Sequence, residues 1–274
     1  MAAPTIRQDL TKGDLEALYV ALNRRELVHP DPLEVLYDYP DPREREIVGL
    51  VAASLSYGRV RSILASVRSA LARMPCPAAF LRTATQESLA AAFAGFRHRF
   101  ATGQGLAAFL LGVKRLLEEF GSLNACFRAG LREGDETVFP ALGEFADRLR
   151  RAAGGLDDHL IPRPERGSAC KRLHLYLRWM VRRDAVDPGG WEGVPPAKLV
   201  VPLDVHMHRI CRALGLTERK QADRRAAEEV TAAFRRLAPD DPVRYDFALT
   251  RLGIRPDADL DGFLRQHAFP PGVP

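Results

Sequence analysis

The sequence predicts an all-α protein whose length suits one large domain or two lobes that share a cleft. Apolar residues recur at helical spacing along most of the chain. No stretch of five or more residues alternates apolar and polar side chains convincingly, so no sheet is expected. With 274 residues, 46% of them hydrophobic, the chain can bury a sizeable core.

The N-terminal part predicts four helical segments. A loose lead-in at 1–13 precedes a helix that Asp14 caps. The third segment is apolar nearly all round, which is typical of a buried helix, and it ends at the turn 56–59. The fourth carries arginines on its outer face and is closed by prolines. The four segments are 14–23, 33–37, 46–55 and 61–74.

The remaining helices are bounded by glycines and prolines. Gly121 and the pair at 154–155 are suitable stops. The last predicted helix has Asp241 as its cap, a proline at its first position and Gly253 as its stop. The last dozen residues resemble a proline-rich tail. The predicted helices are 86–95, 105–120, 122–132, 137–153, the segment that follows Lys171, the segment that follows Asp204, 226–237 and 241–253.

The charge of the chain favours a polyanionic partner. The net charge is +5, and residues 148–183 alone contain ten basic residues against three acids. This excess predicts a basic face, although a solvated arginine-rich helix surface explains the same composition.

The composition also bears on location and cofactors. No membrane-spanning run or export signal is found, so a cytoplasmic protein is expected. The four cysteines lie far apart, which predicts free thiols and no metal or other cofactor.

Lys171 is the first candidate for chemistry. It stands at the start of a helix with the core stripe Leu173, Leu177 and Met180, behind a turn that contains Gly167. Partial burial, neighbouring arginines and the positive end of the helix dipole disfavour an ammonium group. A free amine is the nucleophile needed for attack on a sugar C1′ or a carbonyl. The alternative is a lysine that contacts phosphate.

Asp204 is the second candidate. Pro202 and Leu203 precede it, and a helix follows, so Asp204 is the expected N-cap. A capping carboxylate has a fixed rotamer. If a cleft places it opposite Lys171, it can deprotonate an amine or stabilise a developing sugar cation. N-capping alone also explains the residue.

Asp204, His206 and His208 also form a D-x-H-x-H pattern, which a metal-dependent hydrolase could use. Residues i and i+2 do not share a helix face, and no second cluster of acids and histidines is close in sequence, so a metal site is disfavoured. The histidines are instead candidates for contacts with phosphate or a base.

Residues 202–216 carry a family resemblance. They read PLDVHMHRICRALGL and resemble the V-D-T-H-V-x-R-V-x-x-R-L-G-L signature of helix-hairpin-helix DNA glycosylases, the endonuclease III superfamily. The catalytic aspartate of that motif corresponds to Asp204. Bifunctional members carry a lysine just after the hairpin glycines, which corresponds to Lys171.

The chain resembles more closely the bacterial DUF2400 family within that superfamily, over most of residues 33–255. The segments that carry this resemblance are Cys170-Lys171-Arg172-Leu173 through Trp179-Met180-Val181-Arg182, Asp187 to Trp191, Pro202-Leu203-Asp204 and Asp241-Pro242-Val243-Arg244-Tyr245-Asp246-Phe247-Ala248-Leu249.

The chain departs from the superfamily pattern at the hairpin. The expected L-P-G-V-G-x-K is replaced at 163–171 by RPERGSACK, which has one glycine; arginines could compensate electrostatically. The separation of 33 residues between Lys171 and Asp204 is longer than in endonuclease III. It is similar to that of the archaeal 8-oxoguanine glycosylases, whose hairpin also diverges. The four-cysteine cluster of endonuclease III is absent from the sequence.

The resemblance implies a two-lobed helix-hairpin-helix glycosylase fold with its active site in the cleft between the lobes. The turn at 56–59 takes the place of the superfamily's glutamine-rich intercalating turn, where Tyr57 could stack on DNA or be an ordinary surface tyrosine. The expected DNA-binding residues are Arg59, Arg166, Gly167, Ser168, Arg172, His206, His208 and Arg209. The base-pocket or wedge candidates are Ser56, Tyr57, Trp179, Asp187 and Trp191, although a tryptophan in an apolar helix is more often core.

The sequence therefore predicts a base-excision repair enzyme, a DNA glycosylase with AP lyase activity. Its expected partner is double-stranded DNA with a damaged base, foremost an oxidised purine such as 8-oxoguanine. We expect a monomer, associated with the nucleoid when bound to DNA. The predicted divisions are 1–32 (lead-in and helix), 33–255 (glycosylase-like domain) and 256–274 (tail). The alternatives are a non-catalytic DNA- or RNA-binding protein and the metal-dependent hydrolase.

Overall fold

The computed structural model describes residues 10–155, 159–255 and 257–267. The protein is mostly helical, with 61% helix and 2% strand, which confirms the predicted helical class. The α-helices are α1 (Lys12–Leu22), α2 (Pro42–Ser54), α3 (Val60–Leu71), α4 (Pro77–Thr83), α5 (Gln86–Ala92), α6 (Gly103–Phe120), α7 (Leu123–Arg128), α8 (Phe139–Ala152), α9 (Lys171–Val181), α10 (Val205–Ala213), α11 (Arg224–Leu237), α12 (Asp246–Ile254) and α13 (Leu260–His267). Short 3₁₀ helices are Arg25–Leu27, Pro32–Asp38, Pro164–Arg166 and Pro196–Lys198.

Several elements differ from the sequence-based expectation. Thr11 rather than Asp14 is the N-cap of α1, and α12 begins at Asp246 rather than directly after Asp241. The prediction of no sheet is wrong, because β1 (Arg97–His98) and β2 (Ala101–Thr102) form an antiparallel hairpin. Strands of two residues are too short to show alternation in the sequence. Helix α4 was not predicted, and α13 lies within the expected C-terminal tail. Residues 256 and 268–274 of that tail lie outside the described residues.

Helix α2 is the centre of the core. All its residues from position 46 to 54 are buried, as the apolar sequence predicts. Pro42 is the first residue of the helix. The Asp41 carboxylate caps the helix by accepting a hydrogen bond from the Arg43 backbone N–H. Helix α2 packs against α9. Gly49 permits the close approach, since a Cβ there would lie 3.3 Å from the Tyr176 ring.

Helix α6 packs against α5 and α8 and extends the core. Gly112 of α6 lies against the end of α8. A side chain would not fit there, because a Cβ on Gly112 would lie 2.9 Å from the Cβ of Ala153. The helix ends at Gly121, whose left-handed φ of 79° suits the residue after a helix.

Helices α1 and α10 both pack against α12. The Glu16 carboxylate accepts hydrogen bonds from the Arg244 guanidinium at 2.9 Å and from the Tyr245 hydroxyl at 2.8 Å. Helix α1, which belongs to the predicted N-terminal division 1–32, is thereby held against the C-terminal part of the chain.

Membrane insertion has no support among the helices of residues 10–155, 159–255 and 257–267. None of them combines the length and the apolar character that a membrane-spanning helix requires.

Candidate functional site

The turn before α9 presents Lys171 as the first residue of that helix. Gly167 has a left-handed φ of 76°, and Cys170 adopts φ 47° although it carries a side chain. The Gly167 carbonyl accepts a hydrogen bond from the Arg224 backbone N–H at 2.9 Å, and Ser168 pairs with Asp223 in an isolated antiparallel bridge. The turn before α9, with Gly167 in the left-handed region, is therefore fixed against the start of α11.

Asp204 caps α10, as predicted, and its two carboxylate oxygens have different partners. Oδ1 accepts the backbone N–H of Met207 at 2.8 Å, and Oδ2 accepts the Lys171 Nζ at 2.6 Å. The cap fixes the rotamer, and the fixed rotamer directs the second oxygen at the lysine. The structure thus brings together two residues that lie 33 positions apart in the chain.

The Lys171–Asp204 pair is partly accessible to water, with side chains 37% and 30% exposed. Burial acts to raise the pKa of Asp204, but Lys171 and the Met207 N–H outweigh it, so this pKa lies below its usual value. The carboxyl is therefore ionised at neutral pH, and the two groups form an ion pair. The sequence-based expectation of a free amine took no account of this carboxylate, which pairs with Lys171 at 2.6 Å.

A cavity of about 780 Å³ opens beside this pair. Four candidates from the sequence line it together with Lys171 and Asp204: Ser56, Tyr57, Trp179 and His206. Sequence reasoning missed the other polar and aromatic walls. The foremost of these are His29, Asp31, Arg178, Asp246, Phe247 and Arg251. No local motif marks them, because they come from three separate segments.

Tyr57 belongs to a rigid turn at the cavity wall. Its hydroxyl donates to the His98 carbonyl at 3.1 Å, and the rings of Tyr57 and His98 meet edge to face at 4.8 Å. The Arg172 guanidinium lies 5.0 Å above the Tyr57 ring. Gly58, with φ 104°, leaves room for Arg99, whose guanidinium would lie 2.9 Å from a Cβ there. The β1–β2 hairpin and the 56–59 turn therefore form one unit.

The tip of this hairpin carries an exposed aromatic residue that the sequence analysis missed. Phe100 is 60% exposed and stacks on His159 with ring centroids 4.8 Å apart. The Arg99 guanidinium lies 5.7 Å from the Phe100 ring. An exposed ring flanked by basic side chains is suited to stacking on a base. The sequence signal was R-H-R-F at 97–100, an aromatic residue among basic ones.

Most predicted DNA-binding residues lie at the surface. Arg59, Arg166, Gly167, Ser168, His206 and Arg209 are exposed. Two are not open to DNA in this way. His208 is only 6% exposed, and its Nε2 lies 3.0 Å from the Arg219 carbonyl oxygen, to which an Nε2–H donates. Arg172 is half-buried and donates to the carbonyls of Ser54, His159 and Leu160.

Two base-pocket candidates lie outside the cavity lining. Asp187 is fully buried and binds Arg178 and Arg182. Trp191 is 6% exposed, and its Nε1 donates to the Glu46 carboxylate at 2.9 Å. Both were expected near a flipped base from their place in the loop after α9, and both instead stabilise the core. Trp179 is only 1% exposed and also belongs to the core, although it borders the cavity.

The basic segment 148–183 forms a surface only in part. Arg150, Arg178 and Arg182 are 6% exposed or less. Their charges are directed inward, so the excess of basic residues in the sequence overstates the charge available to a polyanion. The exposed cations of the segment include Arg151, Arg166 and Arg183.

The D-x-H-x-H pattern does not converge on one point. His206 is exposed, whereas His208 is buried against the Arg219 carbonyl. Among the residues whose structure is described, no group of three or more His, Cys, Asp or Glu side chains is arranged to hold a metal ion. Cys170, beside Lys171, is buried, which raises the pKa of its thiol to about 11.

These features define a helical protein with a lysine–carboxylate ion pair in the wall of a cavity. The chain belongs to the DUF2400 family: the model of that family, whose description is a protein of unknown function, matches residues 31–255. No significant match was found among the curated proteins or among the solved structures.

Proposed function

We propose that the protein is a DNA glycosylase with AP lyase activity, a member of the helix-hairpin-helix superfamily with a two-lobed fold. In this proposal the cavity is the active-site cleft. The substrate is double-stranded DNA with a damaged base, an oxidised purine such as 8-oxoguanine. The protein acts as a monomer, without a cofactor, on DNA of the nucleoid. The observation that carries the proposal is the 2.6 Å contact between Lys171 Nζ and Asp204 Oδ2 in the cavity wall.

The ion pair suits the chemistry of base excision. As an extruded nucleotide enters, Asp204 accepts a proton from Lys171, and the amine nitrogen attacks the sugar C1′. The bond between C1′ and the base nitrogen breaks, and the base leaves with that electron pair and takes up the proton that Asp204 had accepted. Loss of a proton from the C1′ adduct and opening of the sugar give a Schiff base on Lys171. Removal of a C2′ proton then breaks the C3′–O bond by β-elimination.

The cavity suits an extruded base. Its volume of about 780 Å³ lies within the range of roughly 300–1,000 Å³ that is common for small-molecule sites. Tyr57 offers a partly exposed ring to a planar base, and the buried rings of Trp179 and Phe247 border the same cavity. A nucleotide must leave the helical stack before Lys171 can reach the C1′ of its sugar, so a cavity beside the nucleophile is required to hold the base.

The surface beside the cavity suits a nucleic-acid backbone. Exposed Arg59 lies after the turn that lines the cavity, and exposed His206 and Arg209 lie on α10 after Asp204. Exposed Arg166 lies on the turn before Lys171. Arginines at such positions contact phosphates without sequence preference, and the exposed Phe100 ring adds a stacking surface.

Borohydride trapping tests the proposal directly. Purified protein is incubated with duplexes that each carry one defined lesion, including 8-oxoguanine, and sodium borohydride reduces any Schiff base to a stable adduct. We expect an adduct with wild type and none with Lys171→Gln. The chain has five lysines, so Lys220→Gln, at an exposed position, is a matched control that retains the adduct.

Asp204→Asn separates catalysis from folding. Asparagine keeps the N-cap but cannot accept the lysine proton. Excision should fall by at least about 10²-fold, the usual contribution of a general base, while the melting temperature changes little. Wild-type protein that excises bases without a trappable adduct would remove Lys171 from the role of nucleophile. Tight binding to lesion duplexes with no excision would favour the non-catalytic alternative.

A further inference from the structure

Among the residues that the structure describes, three carboxylates line the cavity, and Asp31 is the one available to a ligand. Asp204 is the proton acceptor for Lys171 in the proposed reaction. Asp246 is 3% exposed and pairs with Arg178. The Asp31 side chain is 21% exposed and belongs to the segment just before the 3₁₀ helix Pro32–Asp38.

The Asp31 carboxylate is held in one orientation from both sides. Oδ1 accepts the Leu33 backbone N–H at 3.0 Å, and Oδ2 accepts the guanidinium of Arg251. Arg251 is buried and lies 4.6 Å above the ring of Phe247, another wall of the cavity. Each carboxylate oxygen can accept about two hydrogen bonds. The capping box also brings the Glu34 backbone N–H to this side chain. The carboxylate has about four acceptor sites, so it still keeps capacity for a ligand.

The charges around Asp31 favour a neutral ligand with N–H donors. Arg251 balances the charge of Asp31, so a cation is not needed for neutrality. A ligand that presented ring nitrogen or carbonyl acceptors to Asp31, in place of N–H donors, would be repelled, because its lone pairs would face those of the carboxylate. Such an edge would also leave buried polar groups unpaired, which is the strongest source of discrimination between similar substrates.

We infer that Asp31 determines base specificity by accepting hydrogen bonds from a ring N–H and the adjacent exocyclic amino group of the extruded base. Among purines, the guanine type carries this paired donor edge. The inference rests on the proposed function and narrows its substrate to lesions derived from guanine. Asp31 contacts the part of the base that does not react, so its effect is on the choice of substrate.

Two lesions that differ only in the amino group test this inference. Single-turnover excision is measured with duplexes that carry 8-oxoguanine or 8-oxohypoxanthine, which lacks the exocyclic amine. Wild type should prefer 8-oxoguanine by about tenfold or more, as expected for loss of a hydrogen bond to a charged group. In Asp31→Asn this preference should fall to within about twofold, since an amide has one acceptor oxygen fewer.

The ratio of the two rates is the readout, because a loss of folded protein lowers both rates equally. Glu34→Gln is the matched control: Glu34 belongs to the same capping box as Asp31 but is not among the residues that line the cavity. It should keep the wild-type ratio. If Asp31→Asn leaves too little folded protein because Arg251 is unpaired, Asp31→Asn with Arg251→Met removes both charges and should show the same loss of preference.

The outcomes separate this inference from the proposed function. Equal rates of wild type on the two lesions, or an unchanged ratio in Asp31→Asn, overturn the role of Asp31 and leave the glycosylase intact. Wild type that excises neither lesion overturns the inference; if it also excises and traps no other lesion, the glycosylase proposal fails with it.

Discussion

The two ends of α9 carry charged side chains in opposite environments. At its start, Lys171 has one carboxylate partner, and both side chains are about a third exposed. At its end, Arg178 and Arg182 are each 4% exposed and are surrounded by four carboxylates. These acids are Asp184, Asp187, Asp241 and Asp246.

The difference shows which charges a ligand can use. A buried cation with several buried partners cannot exchange them without leaving charges unpaired in a low-dielectric interior. A single pair in a cavity wall can be broken by an incoming group, because water and the ligand replace the lost partner. The start of α9 is therefore suited to chemistry, and its end to holding α9, the following loop and α12 together.

Arg182→Met should give the largest effect and tests the buried end. Removing one member of a buried ion-pair network leaves the others unpaired, so the free energy of unfolding should fall by about 3–5 kcal/mol. Urea denaturation at pH 7 measures this. The neighbouring Arg183 is exposed, and Arg183→Met should change the value by less than about 0.5 kcal/mol. Equal effects of the two variants would contradict the distinction between the ends.

Part of this arrangement could be predicted from the sequence. Asp204 was predicted as a cap because a short polar residue preceded a helical pattern, and the structure shows that cap. The cap and the helix start at Lys171 are local features. The β1–β2 hairpin is also local but too short to show alternation.

The remaining features depend on distant partners, and local pattern cannot reveal them. The excess of basic residues around α9 predicts a positively charged surface. Arg178 and Arg182 are nevertheless directed inward, because they pair with carboxylates up to 68 positions away in the chain. Asp31 and Arg251 are 220 positions apart, and neither forms part of a recognisable motif. Trp179 and Trp191 are both buried in the core, and only the packed structure shows that Trp179 borders the cavity and Trp191 does not.

His174, between the two ends of α9, offers a test by pH. Its ring is buried against Phe139 at 4.7 Å, and burial, assisted by Arg224, lowers its pKa to about 3. The unfolded chain binds a proton near pH 6.5 and the folded chain does not, so this residue lowers stability as pH falls from 6.5 towards 3. Between pH 8 and pH 5 the loss is about 2 kcal/mol.

His174→Leu should remove that acid-dependent loss. Denaturation curves at pH 8 and pH 5 give the difference in the free energy of unfolding for each variant. The exposed His206 supplies the control, since His206→Gln should retain the wild-type pH dependence. An unchanged difference in His174→Leu would show that another group is responsible.

Phe100→Ala tests whether the surface beside the start of α9, where Lys171 lies, binds DNA. Stacking on a base contributes about 1–3 kcal/mol, so affinity for a duplex with a tetrahydrofuran abasic-site analogue should weaken by about tenfold. Fluorescence anisotropy measures the dissociation constant. Val20, 69% exposed on α1, supplies the control, and Val20→Ala should bind as wild type. Equal affinities of the two variants would exclude Phe100 from the interface.

Lys171→Met should have the smallest effect on stability. Partly exposed ion pairs contribute about 0–1 kcal/mol, and Asp204 still caps α10 when the lysine is absent. Because the pKa of Asp204 is depressed, the contribution of the pair is present above pH 3.8 and is lost as pH falls through the lower folded-state value. Wild type and Lys171→Met should therefore differ slightly at pH 7 and converge in acid. A loss as large as that of Arg182→Met would make Lys171 a structural residue like those at the other end of α9.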